Sequence, residues 1–233
     1  MSLQSATAFA PATVGNVGIG FDILGHAFTL IGDRVRATRA APPGVRIGAV
    51  TGLAGDLPME ADRNTAGMAV LSLANSLSLP FGIELTIEKG IPLGSGLGGS
   101  AASAVAAVVA ANELLEQPLS RIELLAHAIQ GEAIASGSRI ADDVAPSLFG
   151  GLVLTVGIDR PRIKQIPVPP GIRCVLVHPH LFISTRDARA MLSGTVSMSD
   201  FVWQTANLAG FLAGCYTNDF ALIREAFEDV IVE

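Results

Sequence analysis

Apolar residues recur along this chain with two periods, and the alternation between them marks out its elements. Residues 83–88 alternate Ile83, Leu85 and Ile87 with Glu84, Thr86 and Glu88. That period of two puts one face of a strand on a core and the other in solvent. Residues 34–39 alternate charge with Val35 and Ala37 and predict an edge strand; residues 5–9 alternate more weakly and predict a first strand. In 62–79 the period becomes helical, with Ala66, Ala69, Val70, Leu73 and Leu77 on one face and Pro80 as the stop. Residues 101–115 and 120–135 predict two more helices, the second opened by Ser120 with Glu123 in the capping-box position. Residues 150–157 read as a buried strand, proline-rich 158–171 as a linker, and 173–177 as the start of a new strand. Helical spacing returns at 187–192, 200–216 and 219–229, where Leu222, Ile223, Ala226 and Phe227 make an apolar face.

This mixture of strands and helices predicts an α+β fold in two domains, 1–160 and 168–233. The second would hold one confident strand, which cannot satisfy its own edges. The natural chain is therefore expected to continue beyond Glu233.

Composition narrows the classes. Hydrophobic residues make up 50% of the chain and charged residues 15%, for a mean hydropathy of +0.51. Even so, the longest apolar run, 101–111, ends at Asn112 and Glu113, short of the roughly 18 residues that cross a bilayer. No basic segment precedes an apolar core at the N-terminus, so no secretory signal is expected. The net charge of −6 and the lack of a basic tract argue against nucleic acid as a partner. Cys174 and Cys215 have no metal-ligand spacing and read as buried, reduced thiols, which suits the cytoplasm. His178 and His180 read as a strand end, because a pair at i and i+2 lacks the further ligands zinc needs.

The strongest chemical signal is Pro92-Leu93-Gly94-Ser95-Gly96-Leu97-Gly98-Gly99-Ser100-Ala101-Ala102-Ser103. Glycines let a backbone turn tightly against a ligand, and the helix that follows points its unpaired N–H groups and positive dipole end at the loop. Together they form an anion site for which phosphate is the usual occupant. A Walker A loop is excluded, since Gly99 is followed by Ser100 and Ala101 rather than Lys and a hydroxyl residue. Gly94, Gly96 and Gly99 match the dinucleotide pattern literally, but a second helix follows where a strand and an acidic residue should stand.

Three further segments carry candidate chemistry. In 10–25, Asn16 can both donate and accept hydrogen bonds, and Asp22 offers an anion suited to an ammonium group. Both are equally at home as turn residues among glycines. In 131–151, Glu132 sits among apolar Ala128, Ile129, Ala133 and Ile134, and Asp142 stands beside Asp143. In 184–189, Thr185 opens a helix one turn before Arg189, whose planar fork suits a carboxylate.

The glycine loop, the Asn-x-Gly-x-Gly-Phe-Asp run ending at Asp22, the Gly-Glu pair at 131–132, the Ala-Asp-Asp-Val-Ala-Pro run at 141–146 and the Ser-Thr-x-x-Ala-Arg run at 184–189 together resemble the GHMP kinases. Within that family they are most similar to the members that phosphorylate L-homoserine. The resemblance implies a ribosomal-S5-domain-2-like N-terminal domain and an incomplete ferredoxin-like C-terminal domain. It implies ATP and Mg²⁺ as cofactors and transfer of the γ-phosphate to the hydroxyl of L-homoserine, a step of threonine biosynthesis. It assigns Pro92, Gly94, Ser95, Gly96, Leu97, Gly98, Gly99, Ser100 and Ser103 to the nucleotide phosphates, and Asn64 more weakly to the adenine. It assigns Ser100 and Glu132 to magnesium, and Asn16, Asp22, Asp142, Thr185 and Arg189 to the amino acid, with Asp142, Thr185 and Arg189 nearest the chemistry. Asp142 is a candidate general base, with direct attack equally open. A homodimer is compatible with the family.

The chain also departs from the pattern. Gly99 replaces a common Ser, Ile140 a His and Asp143 an Asn, and the family's C-terminal glycine-rich segment is missing. Two other readings therefore stay open: an inactive nucleotide-binding fragment, or a kinase for another small alcohol such as mevalonate. A mevalonate site, however, has no ammonium for Asp22. A dinucleotide oxidoreductase is a distant further reading.

Overall fold

The computed structural model describes residues 3–53, 56–157, 161–177 and 185–232, with backbone only at 185–187. Six strands form one sheet: β1 (Ser5–Gly15), β2 (Leu24–Ala40), β3 (Gly44–Gly52), β4 (Gly82–Lys89), β5 (Leu152–Val156) and β6 (Arg162–Ile166). The path runs β3-β4-β2-β5-β6, and β1 pairs with β2. All pairings are antiparallel except β3 with β4.

The strand expected at an edge is the centre of the sheet. β2 is 17 residues long and pairs with β1, β4 and β5. Its alternation reports a solvated sheet face: Val35 and Ala37 are buried while Arg34 and Arg36 are exposed. The expected linker also contains a strand. Arg162–Ile166 pairs with β5 at the sheet's end, where Pro161 and Pro167 flank the ladder without interrupting it. By contrast, 173–177 is irregular and exposed, and no strand starts there. β3 was not legible, because only Ile47 among its residues is buried.

Helices α1 (Thr65–Leu77), α2 (Gly99–Asn112) and α4 (Val144–Phe149) pack on the inner sheet face, and α3 (Arg121–Ser136) packs on these helices. α2 lies at the middle and is buried on nearly every side. Its alanine-rich composition explains both this position and its lack of a polar face: small side chains let it contact β1, β2, α1 and α3 at once. The capping box at Ser120 and Glu123 forms as expected and starts α3.

A second apolar cluster joins α6 (Met198–Thr217) and α7 (Phe220–Ala226) to the sheet, through Phe211, Cys215 and Ala226 against Ile19, Leu24, Leu152 and Ile166. The short α5 (Thr185–Ala190) precedes them. Cys215 is buried as expected, but Cys174 is exposed because its segment lies outside the sheet; both are free thiols. His178 and His180 lie outside the described residues. Among the described residues no helix is long and apolar enough to cross a membrane.

Candidate active site

β4 ends at Lys89 and α2 begins at Gly99; the glycine loop occupies the nine residues between them. Gly94, Gly96 and Gly98 all have positive φ (65°, 69° and 61°), backbone that residues with a Cβ adopt only under strain. Gly98 caps α2 without a side-chain acceptor, so the first-turn N–H groups stay available to an anion. A Cβ at Gly98 would lie 2.0 Å from Thr13 Oγ1, so the loop sits directly on β1. The Thr13 N–H donates to the Leu97 carbonyl (3.1 Å), and buried Leu97 anchors the loop to the core. Ser95 Oγ is buried there without a partner.

The loop forms one wall of a cleft of about 850 Å³. Pro92, Gly94, Ser95, Gly96, Leu97, Gly98, Gly99 and Ser100 all line it. Asn16, Asp22 and Arg189 line it as well, as do Glu132, Asp142 and Asp143. The departures Ile140, Asp143 and Gly99 are thus all cleft residues.

Asn16 and Asp22 both adopt positive φ (66° and 62°), and Asn16 Oδ1 accepts from the Asp22 N–H (2.8 Å). The turn role therefore uses the Asn16 carbonyl and aims the Asp22 carboxylate. Arg189 donates to both Asp22 oxygens, Nη1 to Oδ2 at 2.9 Å and Nη2 to Oδ1 at 2.7 Å, and its guanidinium lies 5.4 Å from the centre of the Phe21 ring. Two residues read separately from distant motifs are thus partners in one ion pair. Its hydrogen bonds to Asp22 push the Arg189 pKa upward.

The carboxylates opposite are perturbed. Ser100 Oγ donates to Glu132 Oε1 (3.0 Å), while buried Glu132 Oε2 has no partner. Burial pushes the Glu132 carboxyl up to about 8, with Asp143 and Asp142 adding to the rise and Ser100 and Lys89 opposing it. Asp142 is pushed up to about 7 by burial, then by Asp143 and Asp22; its Oδ1 accepts from the Asp143 N–H (3.0 Å). Gly15 makes room for this group, since a Cβ there would meet Asp142 Oδ2 at 2.3 Å. Burial also raises Asp143, and Thr13 Oγ1, donating to it at 2.8 Å, moderates the rise.

Two expected site residues, Asn64 and Ser103, do not line the cleft. Asn64 caps α1, its Oδ1 accepting from Ala66 and Gly67 and its Nδ2 donating to the Pro58 carbonyl, so its amide is committed to the fold. Ser103 lies beneath the loop, bonded to Lys89 and Asp33. Thr185 begins α5, and its side chain lies outside the described residues. Sequence reading missed Asp33 and Lys89, buried side by side under the loop. A signal was present: 33, 35 and 37 share one parity of β2, and 83, 85, 87 and 89 share one parity of β4. A charged residue on a core-facing parity is a buried charge in need of a partner.

Among the described residues no group of three or more His, Cys, Asp or Glu side chains could hold a metal ion. Glu132 and Ser100 supply oxygen donors only, with one buried oxygen unsatisfied. That set suits a hard cation that takes one or two protein ligands and draws the rest from phosphate and water.

The cradle, the acidic wall and the sheet-on-helix frame define the class: residues 64–151 match the N-terminal domain of the GHMP kinases. The chain is 50% identical over 230 residues to the homoserine kinase of Xylella fastidiosa (strain 9a5c), covering 99% of this chain and 70% of that one. It is 51% identical to the homoserine kinase of Xanthomonas campestris pv. campestris (strain B100), covering 99% and 71%. The crystal structure of homoserine kinase from Cytophaga hutchinsonii superposes with a TM-score of 0.91 at 42% identity, over 99% of this chain and 73% of that one. The chain belongs to the homoserine kinase family of the GHMP kinases.

Proposed function

We propose that this protein transfers the γ-phosphate of ATP to the side-chain hydroxyl of L-homoserine, in the cytoplasm. One observation carries the reading: the anion cradle at the start of α2 and the Asp22–Arg189 ion pair line the same cleft. The cradle suits a polyphosphate. The pair suits a zwitterion, because an amino acid brings an ammonium for Asp22 and a carboxylate for Arg189. In the free protein the two side chains pair with one another, and the acceptor replaces each partner with its own opposite charge. A mevalonate-like acceptor has no ammonium and would leave Asp22 unpaired.

Phosphoryl transfer needs positioning and charge stabilisation more than covalent help from the protein. The loop N–H groups and the α2 dipole hold the phosphates. Magnesium, when bound, neutralises charge on the phosphate oxygens, and Ser100 Oγ and Glu132 are the groups that would hold it. Its ligation requires an ionised Glu132, so burial keeps this carboxyl ready to exchange a proton for a cation. Asp142, raised to about 7, takes the acceptor's hydroxyl proton in one route, and the engagement of Oδ1 by the Asp143 N–H favours Oδ2 as the accepting atom. Direct attack without a base is the other route. A pH profile of kcat in Asp142→Asn separates the two: only a base route loses its acidic limb.

The test of the whole reading is ADP release from Mg-ATP with and without L-homoserine, with serine and mevalonate as controls. Release that depends on homoserine supports it. Nucleotide binding without release under any acceptor refutes it in favour of an inactive nucleotide-binding protein.

A further inference from the structure

Beneath the phosphate loop lies a polar cluster whose own side chains do not line the cleft. Lys89 and Asp33 side chains are 2% and 0% exposed and form a direct ion pair. Lys89 Nζ also donates to the Gly99 carbonyl (2.6 Å) and to Ser103 Oγ (2.8 Å). Ser103 Oγ in turn donates to Asp33 Oδ2 (2.7 Å). The other carboxylate oxygen, Asp33 Oδ1, accepts from the backbone N–H groups of Gly90 (3.0 Å) and Ile91 (3.3 Å).

A buried ion pair is a poor way to stabilise a core, because apolar residues of similar volume often do as well or better. Its placement at the two ends of one loop points to another use. Gly90 and Ile91 are where the chain leaves β4, and Gly99 is the first residue of α2. Both ends of the cradle are thus fastened to the same charge pair, and through Asp33 to the central strand β2. A loop with three positive-φ glycines has many alternative conformations, and only a fixed separation of its ends holds the N–H groups in one anion-binding arrangement. The ammonium stands at the positive end of the α2 dipole, an unfavourable place for a lone cation, so Asp33 is needed to neutralise it.

We propose that Asp33, Lys89 and Ser103 form a clamp that pre-shapes the phosphate loop for nucleotide, making them positioning residues for phosphoryl transfer. This rests on the nucleotide-binding reading above. It also gives Ser103 a role different from direct contact with phosphate: the residue is 3% exposed and acts through the loop's backbone.

The test uses two variants of the full chain. Ser103→Ala removes one hydroxyl from the clamp and leaves the ion pair, so it folds. The double variant Asp33→Leu with Lys89→Met replaces the charges with apolar groups, so no buried charge is left unpaired. Two quantities are measured: the Kd of a fluorescent ADP analogue, and amide hydrogen exchange at 94–100 compared with 105–110 in mid-α2. The clamp predicts a Kd about fivefold weaker in Ser103→Ala, the worth of roughly one hydrogen bond. It predicts a loss of at least about tenfold in the double variant, and faster exchange confined to the loop in both. Wild-type Kd and wild-type loop exchange in either variant overturn it, as does faster exchange that extends equally through α2, which marks a purely structural pair. If the unaltered protein binds no nucleotide, the kinase reading fails, and loop exchange still decides the clamp.

Discussion

Replacing Arg189 with Ala tests the acceptor end of the cleft most directly. The truncation removes a two-point ion pair, with contacts of 2.7 and 2.9 Å to Asp22, and with it the proposed partner of the acceptor's carboxylate. Truncating one member of a fully buried, hydrogen-bonded charge pair costs about 2–5 kcal/mol at an interface. Here the Arg189 and Asp22 side chains keep 38% and 27% of their exposure, so solvent screens the interaction and the lower end applies. A loss of about 2 kcal/mol corresponds to roughly a 30-fold rise in the KM for homoserine. The KM for ATP should stay within about twofold, because the hydrogen bonds of Arg189 go to Asp22 and none to the loop. Stability should change by no more than about 1 kcal/mol, as for other partly exposed pairs. Steady-state kinetics with each substrate varied in turn, plus a urea titration, provide all three quantities. A parallel rise in both KM values, or a large loss of stability, would refute the assignment and make Arg189 a structural tie between α5 and the 16–22 turn.

Two further predictions concern the loop and its acidic neighbour. The folded pKa of Glu132, about 8, lies above its ordinary 4.5, so folding favours the protonated acid. Its contribution to metal-free stability is therefore full below pH 4.5 and declines by up to about 1.4 kcal/mol per pH unit until about 8. Glu132→Gln removes that decline. In EDTA the variant should be more stable than the unaltered protein at pH 8 and nearly equal to it at pH 4.5; equal slopes in urea titrations across this range would sink the idea. Gly98→Ala places a Cβ at φ 61° and 2.0 Å from Thr13 Oγ1. The left-handed backbone alone costs about 1–2 kcal/mol for a residue with a Cβ. We expect a lower Tm by differential scanning fluorimetry and at least a tenfold weaker ADP affinity by calorimetry. Unchanged values for both would show that the loop is not seated on β1 as described.

The local elements were legible wherever one face of an element decided its pattern. β4, α1 and α3 stood out because alternation or helical spacing on one side was strict, and the capping box at Ser120 marks α3's start with two side chains three residues apart in the chain. The glycine loop was legible for a related reason: anion binding by backbone N–H groups needs glycines in a fixed local order, and that order is a property of contiguous residues. What failed were judgements about neighbours. An alternating β2 looks the same at the edge of a sheet as at its centre, since the alternation reports its solvated face and not its hydrogen-bonded sides. β6 was concealed by the prolines that flank it, and exposed Cys174 by the strand expected around it.

By itself, then, the sequence determined the glycine-rich loop, the helices around it and the residue types available for chemistry, because these depend on spacing within one segment. Only the tertiary structure decided which charges meet. Asp22 pairs with Arg189 across 167 positions, Thr13 bonds Asp143 across 130, and Asp33 reaches Lys89 across 56. Each carboxyl's burial, partner and proton affinity is set by groups that the strands and helices bring together from far along the chain, and no local pattern records them.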